Sequence, residues 1–344
     1  VNILLTSAGR RSYLVDAFKE VLDGEGEVHV ANSSEISSAF ASADKTVVTP
    51  LIYEKTYIPF LKEYCCENDI SAIISLFDVD LPILSKRKDE FKDIGVTVIV
   101  SDIEIIDVCN DKWKTFQFLI ENKIKTPQSF LMIDDVMMKI LEGSIRFPVV
   151  VKPRWGMGSL SVFEADNEEE LRILVEKVKR NIKKSYLKYE SSEDLDRCVI
   201  IQEKVSGQEY GLDVINDLNG NYFTTISKMK YTMRAGETDC AITVDNTELG
   251  ELGENLGRTL GHIANLDVDV FLSDKEAFVL EMNARFGGGY PFSHVSGADL
   301  PRAIVKWLKG EEVEKELLIA RNNVVAQKDI KIICLEGCWG LEKN

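Results

Sequence analysis

Over the first hundred residues, short apolar runs alternate with amphipathic segments. Asn2–Thr6, Val28–Ala31, Ala72–Leu76 and Val96–Val100 have strand length and are largely apolar, whereas Ser12–Leu22, Thr56–Glu67 and Val79–Asp93 carry apolar residues at helical spacing. Strands that are apolar on both faces suit a parallel sheet covered by helices, so the pattern predicts a doubly wound α/β domain. The turn Thr6-Ser7-Ala8-Gly9-Arg10-Arg11 joins the first strand to the first helix with small residues and an arginine pair. It lacks the full Gly-x-Gly-x-x-Gly spacing of a dinucleotide site, which points to a Rossmann-like domain of other use.

A second unit begins near Asn110. Asp111–Glu121 is predicted helical, with Trp113, Phe116, Phe118, Leu119 and Ile120 supplying core contacts, and Thr126-Pro127 ends the connection. Val149–Val151 is a predicted strand leading into Lys152-Pro153. Glu168–Lys179 is an amphipathic helix, and the densely charged stretch 180–197 is expected as a solvated loop or frayed helix end. Strands are predicted at Val199–Gln202, Tyr210–Ile215 and Tyr222–Ser227, the last two joined by a turn at Asn219-Gly220. A helix from about Glu248 to Ile263 precedes a strand pair, Asp267–Leu272 and Phe278–Asn283.

Composition narrows the classes. A chain of 344 residues exceeds one ordinary core and suggests two or three domains. The net charge of −16 argues against non-specific nucleic-acid binding, so an anionic cofactor would need a locally basic pocket. No run approaches the length of a membrane helix, and Val1–Thr6 meets Gly9 and two arginines, unlike a signal peptide. The seven cysteines form no Cys-x-x-Cys pair and His29, His262 and His294 are isolated, so reduced cytosolic thiols are expected rather than zinc or disulfides. A cytoplasmic protein with no membrane or nucleic-acid partner is the expectation.

The most informative stretch is Phe278-Val-Leu-Glu-Met-Asn-Ala-Arg-Phe-Gly-Gly-Gly-Tyr-Pro291. In a strand Glu281, Asn283 and Arg285 share one face, while Leu280, Met282 and Ala284 point to the other and into a core. A carboxylate and an amide oxygen suit Mg²⁺, and an arginine fork suits a phosphate that the metal carries. Lys152 closes an apolar strand beside Arg154-Trp-Gly156-Met-Gly158-Ser159, a lysine and glycine loop fit for phosphate, although not a Walker A motif. Gln202-Glu203-Lys204-Val205 followed by Glu209 reads as a hinge whose backbone can bind adenine, with a carboxylate for ribose.

Taken in order, Lys112, Lys152 with its glycine loop, the hinge with Glu209, Asp269, and Glu281-x-Asn283-x-Arg285 resemble the ATP-grasp superfamily across roughly 110–310. The preceding hundred residues resemble its N-terminal Rossmann-like domain, and the branch resembled is that of carboxylate–amine ligases related to the carbamoyl phosphate synthase large subunit. The resemblance implies three parts: 1–109, an ATP-grasp fold over 110–310 with a lid at about 126–200, and a C-terminal segment 311–344. It implies that Lys112 and Lys152 contact ATP phosphates under a lid containing Gly156, Gly158 and Ser159. Gln202 or Glu203 and Val205 would bind adenine, and Glu209 the ribose. Asp269, preferred over Asp267, would hold Mg²⁺ (two ions, with Mn²⁺ as an alternative) together with Glu281 and Asn283. Arg285 would steady the γ-phosphoryl group. Gln202 departs from the Glu that many relatives carry.

The implied activity joins a carboxylate to an amine or ammonia through an acyl phosphate, with ADP and phosphate released, and allows a homodimer. Carboxyphosphate or carbamoyl phosphate chemistry is the second reading, and a nucleotide-binding protein without turnover is the third. On the acceptor side, Lys228 and Lys230 share a face, either as a solvated charged hairpin or as a carboxylate site. Arg234 is expected to face the γ-phosphate and orient the carboxylate substrate, with Gly236 bending the segment and Glu237 meeting the amine. Asp78 is read as a helix N-cap, Asp80 is left open between cap and ligand, and His294 is read as structural.

Overall fold

The computed structural model describes residues 1–273 and 276–335. Its first unit is a parallel sheet built from β1 (Asn2–Thr6), β2 (Val28–Asn32), β3 (Lys45–Val48), β4 (Ile70–Ser75) and β5 (Thr97–Ile99), in the order β3-β2-β1-β4-β5. Ile3, Leu4 and Leu5 are fully buried because helices cover both faces. The order reverses between β1 and β4, which opens a crevice at their carboxyl ends. β3, with its Lys-Thr start and exposed residues, is an edge strand that the apolar pattern did not reveal. The single helix expected over Val79–Asp93 is two, Leu81–Ser85 and Lys88–Lys92. The break at Lys86–Arg87 lets Leu81, Leu84 and Phe91 all reach one core.

A helix at Ile103–Asn110, absent from the sequence-based prediction, leads into the predicted one at Lys112–Glu121. Next comes an antiparallel sheet of β6 (Ser129–Phe130), β7 (Val149–Pro153), β8 (Phe163–Ala165) and β9 (Val199–Glu203), in the order β6-β9-β7-β8. Helix Glu168–Lys184 packs on it through Leu171, Val175, Val178 and Ile182. The charged stretch expected as loop is therefore partly ordered: this helix runs on to Lys184 and a short one follows at Leu187–Glu190, because Ile182 and Leu187 are buried.

The third unit is a large antiparallel sheet. It contains β10 (Gln208–Asn216), β11 (Tyr222–Arg234), β12 (Glu237–Val244), β13 (Ala264–Leu272), β14 (Ala277–Asn283) and β15 (Val325–Gln327), in the order β14-β13-β10-β11-β12-β15. Helix Thr247–Leu260 covers one face of this sheet. Helix Leu300–Leu308 returns to pack against helix Ser12–Leu22 of the first unit. Part of the C-terminal segment expected at 311–344 thus completes the sheet edge, while residues 336–344 lie outside the described residues. The mixed α/β class, an N-terminal parallel sheet followed by a different sheet-and-helix unit, is as predicted.

Candidate active site

The site forms where the three units meet, and two cavities share one wall there. One, of about 290 Å³, lies between the β7–β9 sheet and the β13–β14 hairpin. The other, of about 230 Å³, lies between β11, β12, the glycine run 287–289 and the first unit. Met157, Gly158, Asp269 and Glu281 line both.

The larger cavity contains Lys112, Lys152, Gly156, Gly158, Ser159, Gln202, Glu203, Val205 and Glu209, every nucleotide residue expected from the sequence. Strand alternation turns Lys152 inward from the end of β7, where its Nζ donates to Gln202 Oε1 at 2.9 Å. Gln202 Nε2 donates in turn to Ser129 Oγ at 3.0 Å. Burial pulls the Lys152 ammonium down to about 8, only partly opposed by Glu281, so it is a cation short of compensation. Lys112 is brought in by a clamp that sequence reasoning missed. Asp111 caps the helix that starts at Lys112 by accepting from Trp113 N, and takes Arg154 Nε and Nη2 at 2.7 Å each. This ties the helix start to the glycine loop, and Lys112 Nζ reaches Gly156 O and lies 3.7 Å from Glu281 Oε2.

A β-bulge rewrites part of the β14 expectation. Asp269 pairs with Glu281, but Val270 pairs with Val279, so Leu280 is the extra residue. Leu280 therefore lines the larger cavity beside Phe271 instead of joining Met282 and Ala284 in the core, which takes Val279. Val150, Leu160 and Val162 line the same cavity, which gives it apolar walls.

Glu281 is held below its usual range: burial would raise its carboxyl, but Lys112, Lys152, Lys230 and Arg285 outweigh that. Asp269 is pushed up to about 7 by burial, against the pull of Lys230 and with Asp267 and Glu281 adding repulsion. Lys230 Nζ bridges Asp269 Oδ1 at 2.6 Å and Glu209 Oε1 at 2.7 Å, so the carboxylate expected at ribose is engaged by a lysine. Lys228 is buried and pairs with Asp213 and Ser293, which disposes of the solvated-hairpin reading for both lysines. Asp267 is occupied by Arg285, whereas Asp269 faces Glu281 and borders both cavities.

Arg285 lines the smaller cavity and is fixed by Asp78 Oδ2 at 2.9 Å and Asp267 Oδ2 at 3.1 Å. Asp78 is therefore no side-chain cap but the anchor of Arg285, reaching it across 207 positions of chain. Asp80 makes no side-chain cap either. It is fully buried, accepts from Ser7 Oγ and Tyr57 Oη, and burial pushes its carboxyl up to about 6. Gly287 passes so near Asp267 that a Cβ there would lie 2.1 Å from its carboxylate. His294 contacts Tyr290 Oη at 3.4 Å and lines neither cavity.

The structure does not bring Arg234 to the cavities. Strict alternation would place it on the face of Lys228 and Lys230, but register shifts between Lys230 and Met233 reverse the pattern. Met233 faces the cavity, while Arg234 is half exposed and pairs with Asp239 at 3.2 Å. Gly236 and Glu237, by contrast, line the smaller cavity. Gly236 lies under the glycine loop, where a Cβ would meet Gly158 O at 2.7 Å.

Residues 109–289 match the ATP-grasp domain family, over half the chain, and residues 3–99 match the PylC-like N-terminal domain. The chain belongs to the ATP-grasp family. A carbamoyl-phosphate synthase of Methanobrevibacter smithii is 22% identical over 243 residues, covering 66% of this chain, which spans 60% of that relative's length. Among solved structures, the biotin carboxylase of Campylobacter jejuni superposes with a TM-score of 0.71 at 16% identity, over 93% of this chain and 73% of that one. An L-amino acid ligase of Bacillus licheniformis gives 0.64 at 18% identity, over 90% and 74%. The ATP-grasp resemblance read from the motifs is borne out.

Removal of the Lys152 ammonium tests whether the larger cavity holds ATP. Lys152→Ala is expected to weaken ATP binding by about 1.5–3 kcal/mol, roughly ten- to hundredfold, read by calorimetric titration with ATP. Because burial holds this group near 8, wild-type affinity is expected to fall as pH rises from 7 to 9. In Lys152→Met that fall disappears. An unchanged alkaline limb would take Lys152 off the phosphates.

Proposed function

We propose that this chain is an ATP-dependent, Mg²⁺-requiring carboxylate–amine ligase that works through an acyl phosphate and releases ADP and phosphate. The carrying observation is the shared wall: Asp269 and Glu281, roofed by Gly158, separate a lysine-lined cavity from a second, polar cavity. A phosphoryl group crossing that wall passes from ATP to a carboxylate in the second cavity. The amine then attacks the acyl carbon and phosphate leaves.

The residues at the wall fit Mg²⁺. Asp269 and Glu281 at the wall, with Asn283 beside it in the smaller cavity, can offer two carboxylates and an amide oxygen, the hard ligands Mg²⁺ takes. Among the described residues no group of three His, Cys, Asp or Glu side chains is gathered for a metal, so phosphate and water would complete the shell. Bound there, Mg²⁺ would neutralise charge on the transferred phosphoryl group. Lys112 and Lys152 orient the ATP phosphates, and Arg285, locked by Asp78 and Asp267, offers a rigid cation to developing charge. Neither step requires a protein nucleophile. Similarity to a carbamoyl-phosphate synthase supports carboxyphosphate or carbamoyl phosphate chemistry as a variant of this reading.

ADP release over a panel of carboxylates and amines, with bicarbonate and ammonia as one arm, tests the reading. ADP and phosphate are expected, and hydroxylamine in place of the amine is expected to yield a hydroxamate. AMP formed in step with turnover would exclude the mechanism.

A further inference from the structure

Four cations line the smaller cavity: Arg11, Lys228, Lys230 and Arg285. Three already have carboxylate partners, Lys228 in Asp213, Lys230 in Glu209 and Asp269, and Arg285 in Asp78 and Asp267. Arg11 differs. Its Nη1 donates to Leu76 O at 2.7 Å and Phe286 O at 2.9 Å, and among the described residues no carboxylate pairs with it. Two backbone carbonyls thus fix the plane of the guanidinium, while its Nε and Nη2 donors have no partner among the described residues. Burial already works against its charge, lowering its pKa, and the neighbouring Arg285 adds to that while Asp78 and Glu237 oppose it.

Its place in the fold makes the same point. Arg11 follows β1 and Leu76 follows β4, the two strands between which the sheet order reverses. Open parallel sheets bind ligands at the carboxyl ends of such strands. Here that crevice opens into the cavity that the Asp269–Glu281 wall also lines. Phe77, Met157, Met233 and Phe292 supply apolar lining to the same cavity.

We propose that Arg11 is a specificity-determining residue that holds a second, non-reacting carboxylate of the substrate. This rests on the ligase reading above and deepens it: one substrate carries an anionic group besides the one involved in reaction, and the N-terminal domain reads it. A pre-oriented guanidinium takes a carboxylate through two parallel hydrogen bonds, which a neutral amide of the same shape cannot match.

The test compares acid–amide pairs with this chain, the amide placed at a carboxylate that does not react: each proteinogenic L-amino acid against its α-amide, offered as the amine with one carboxylate held constant, and succinate against succinamate as the carboxylate. In the wild type, at least one acid is expected to exceed its amide tenfold or more in kcat/KM for ADP release. In Arg11→Gln that ratio is expected to fall to about threefold or less, with the KM for ATP unchanged, and in Arg11→Lys to an intermediate value. A merely structural clasp between Leu76 and Phe286 would lower activity without changing the ratio. A ratio that survives in Arg11→Gln, or a wild type indifferent to the amide, overturns the proposal. If no pair supports ADP release, the ligase reading fails and calorimetric binding of the same pairs to wild type and Arg11→Lys decides on Arg11. An acid-over-amide preference in the wild type that shrinks in Arg11→Lys upholds its role, and an equal preference, or none, in both proteins refutes it. Should Arg11→Gln not fold, as judged by circular dichroism, Arg11→Lys carries the comparison.

Discussion

Glu281→Gln is expected to lower ATP-dependent turnover at least about 100-fold, the scale on which loss of a single group stabilising developing charge acts. Its carboxylate is the one acid at the shared wall held firmly ionised, because Lys112, Lys152, Lys230 and Arg285 outweigh the cost of its burial. The amide preserves shape and one oxygen donor but halves the charge offered to Mg²⁺ on a phosphate. The substitution sits in a strand whose core contacts come from Val279 and Met282, so cooperative unfolding is expected to persist. The measurement pairs an ADP-release assay across Mg²⁺ concentrations with thermal unfolding. Near-normal turnover in a folded variant would remove Glu281 from the metal site.

Arg285→Ala is expected to cost about 3–5 kcal/mol of stability as well as activity, since it leaves Asp78 and Asp267 buried without their cation. The Arg285 side chain is 8% exposed and Asp78 5%, so water can do little to compensate. Urea unfolding monitored by circular dichroism measures the loss. Adding Asp78→Asn to Arg285→Ala is expected to recover part of it, because one of the stranded charges is removed. A surface-like effect below about 1 kcal/mol would show that this bridge between the first unit and the catalytic sheet is not structural.

Both predictions combine features that differ in how they can be read. Glu281, Asn283 and Arg285 stand out because strand alternation is local: residues two apart share a face whatever surrounds them. The same rule failed for Leu280 and Arg234. A bulge at Asp269–Val270 and register shifts after Lys230 depend on pairing between strands, which no window of sequence contains. The clamp of Asp111 on Arg154 was missed: Asp111 read as part of the helix it caps, and its second partner lies 43 residues away.

By itself, the sequence determined the alternation that builds the parallel sheet, the ordered set of lysines, glycines and carboxylates, and with them the ATP-grasp fold. Each of these is carried by short-range periodicity or by residue types whose chemistry is the same in any setting. Only the tertiary structure decided which charges are already matched. It paired Lys228 with Asp213, Lys230 with Glu209 and Asp269, and Arg285 with Asp78 and Asp267, leaving Arg11, in the same cavity, without a carboxylate partner among the described residues. Electrostatic compensation acts through space between residues distant in the chain, and burial sets its strength, so it exists only once the units have packed.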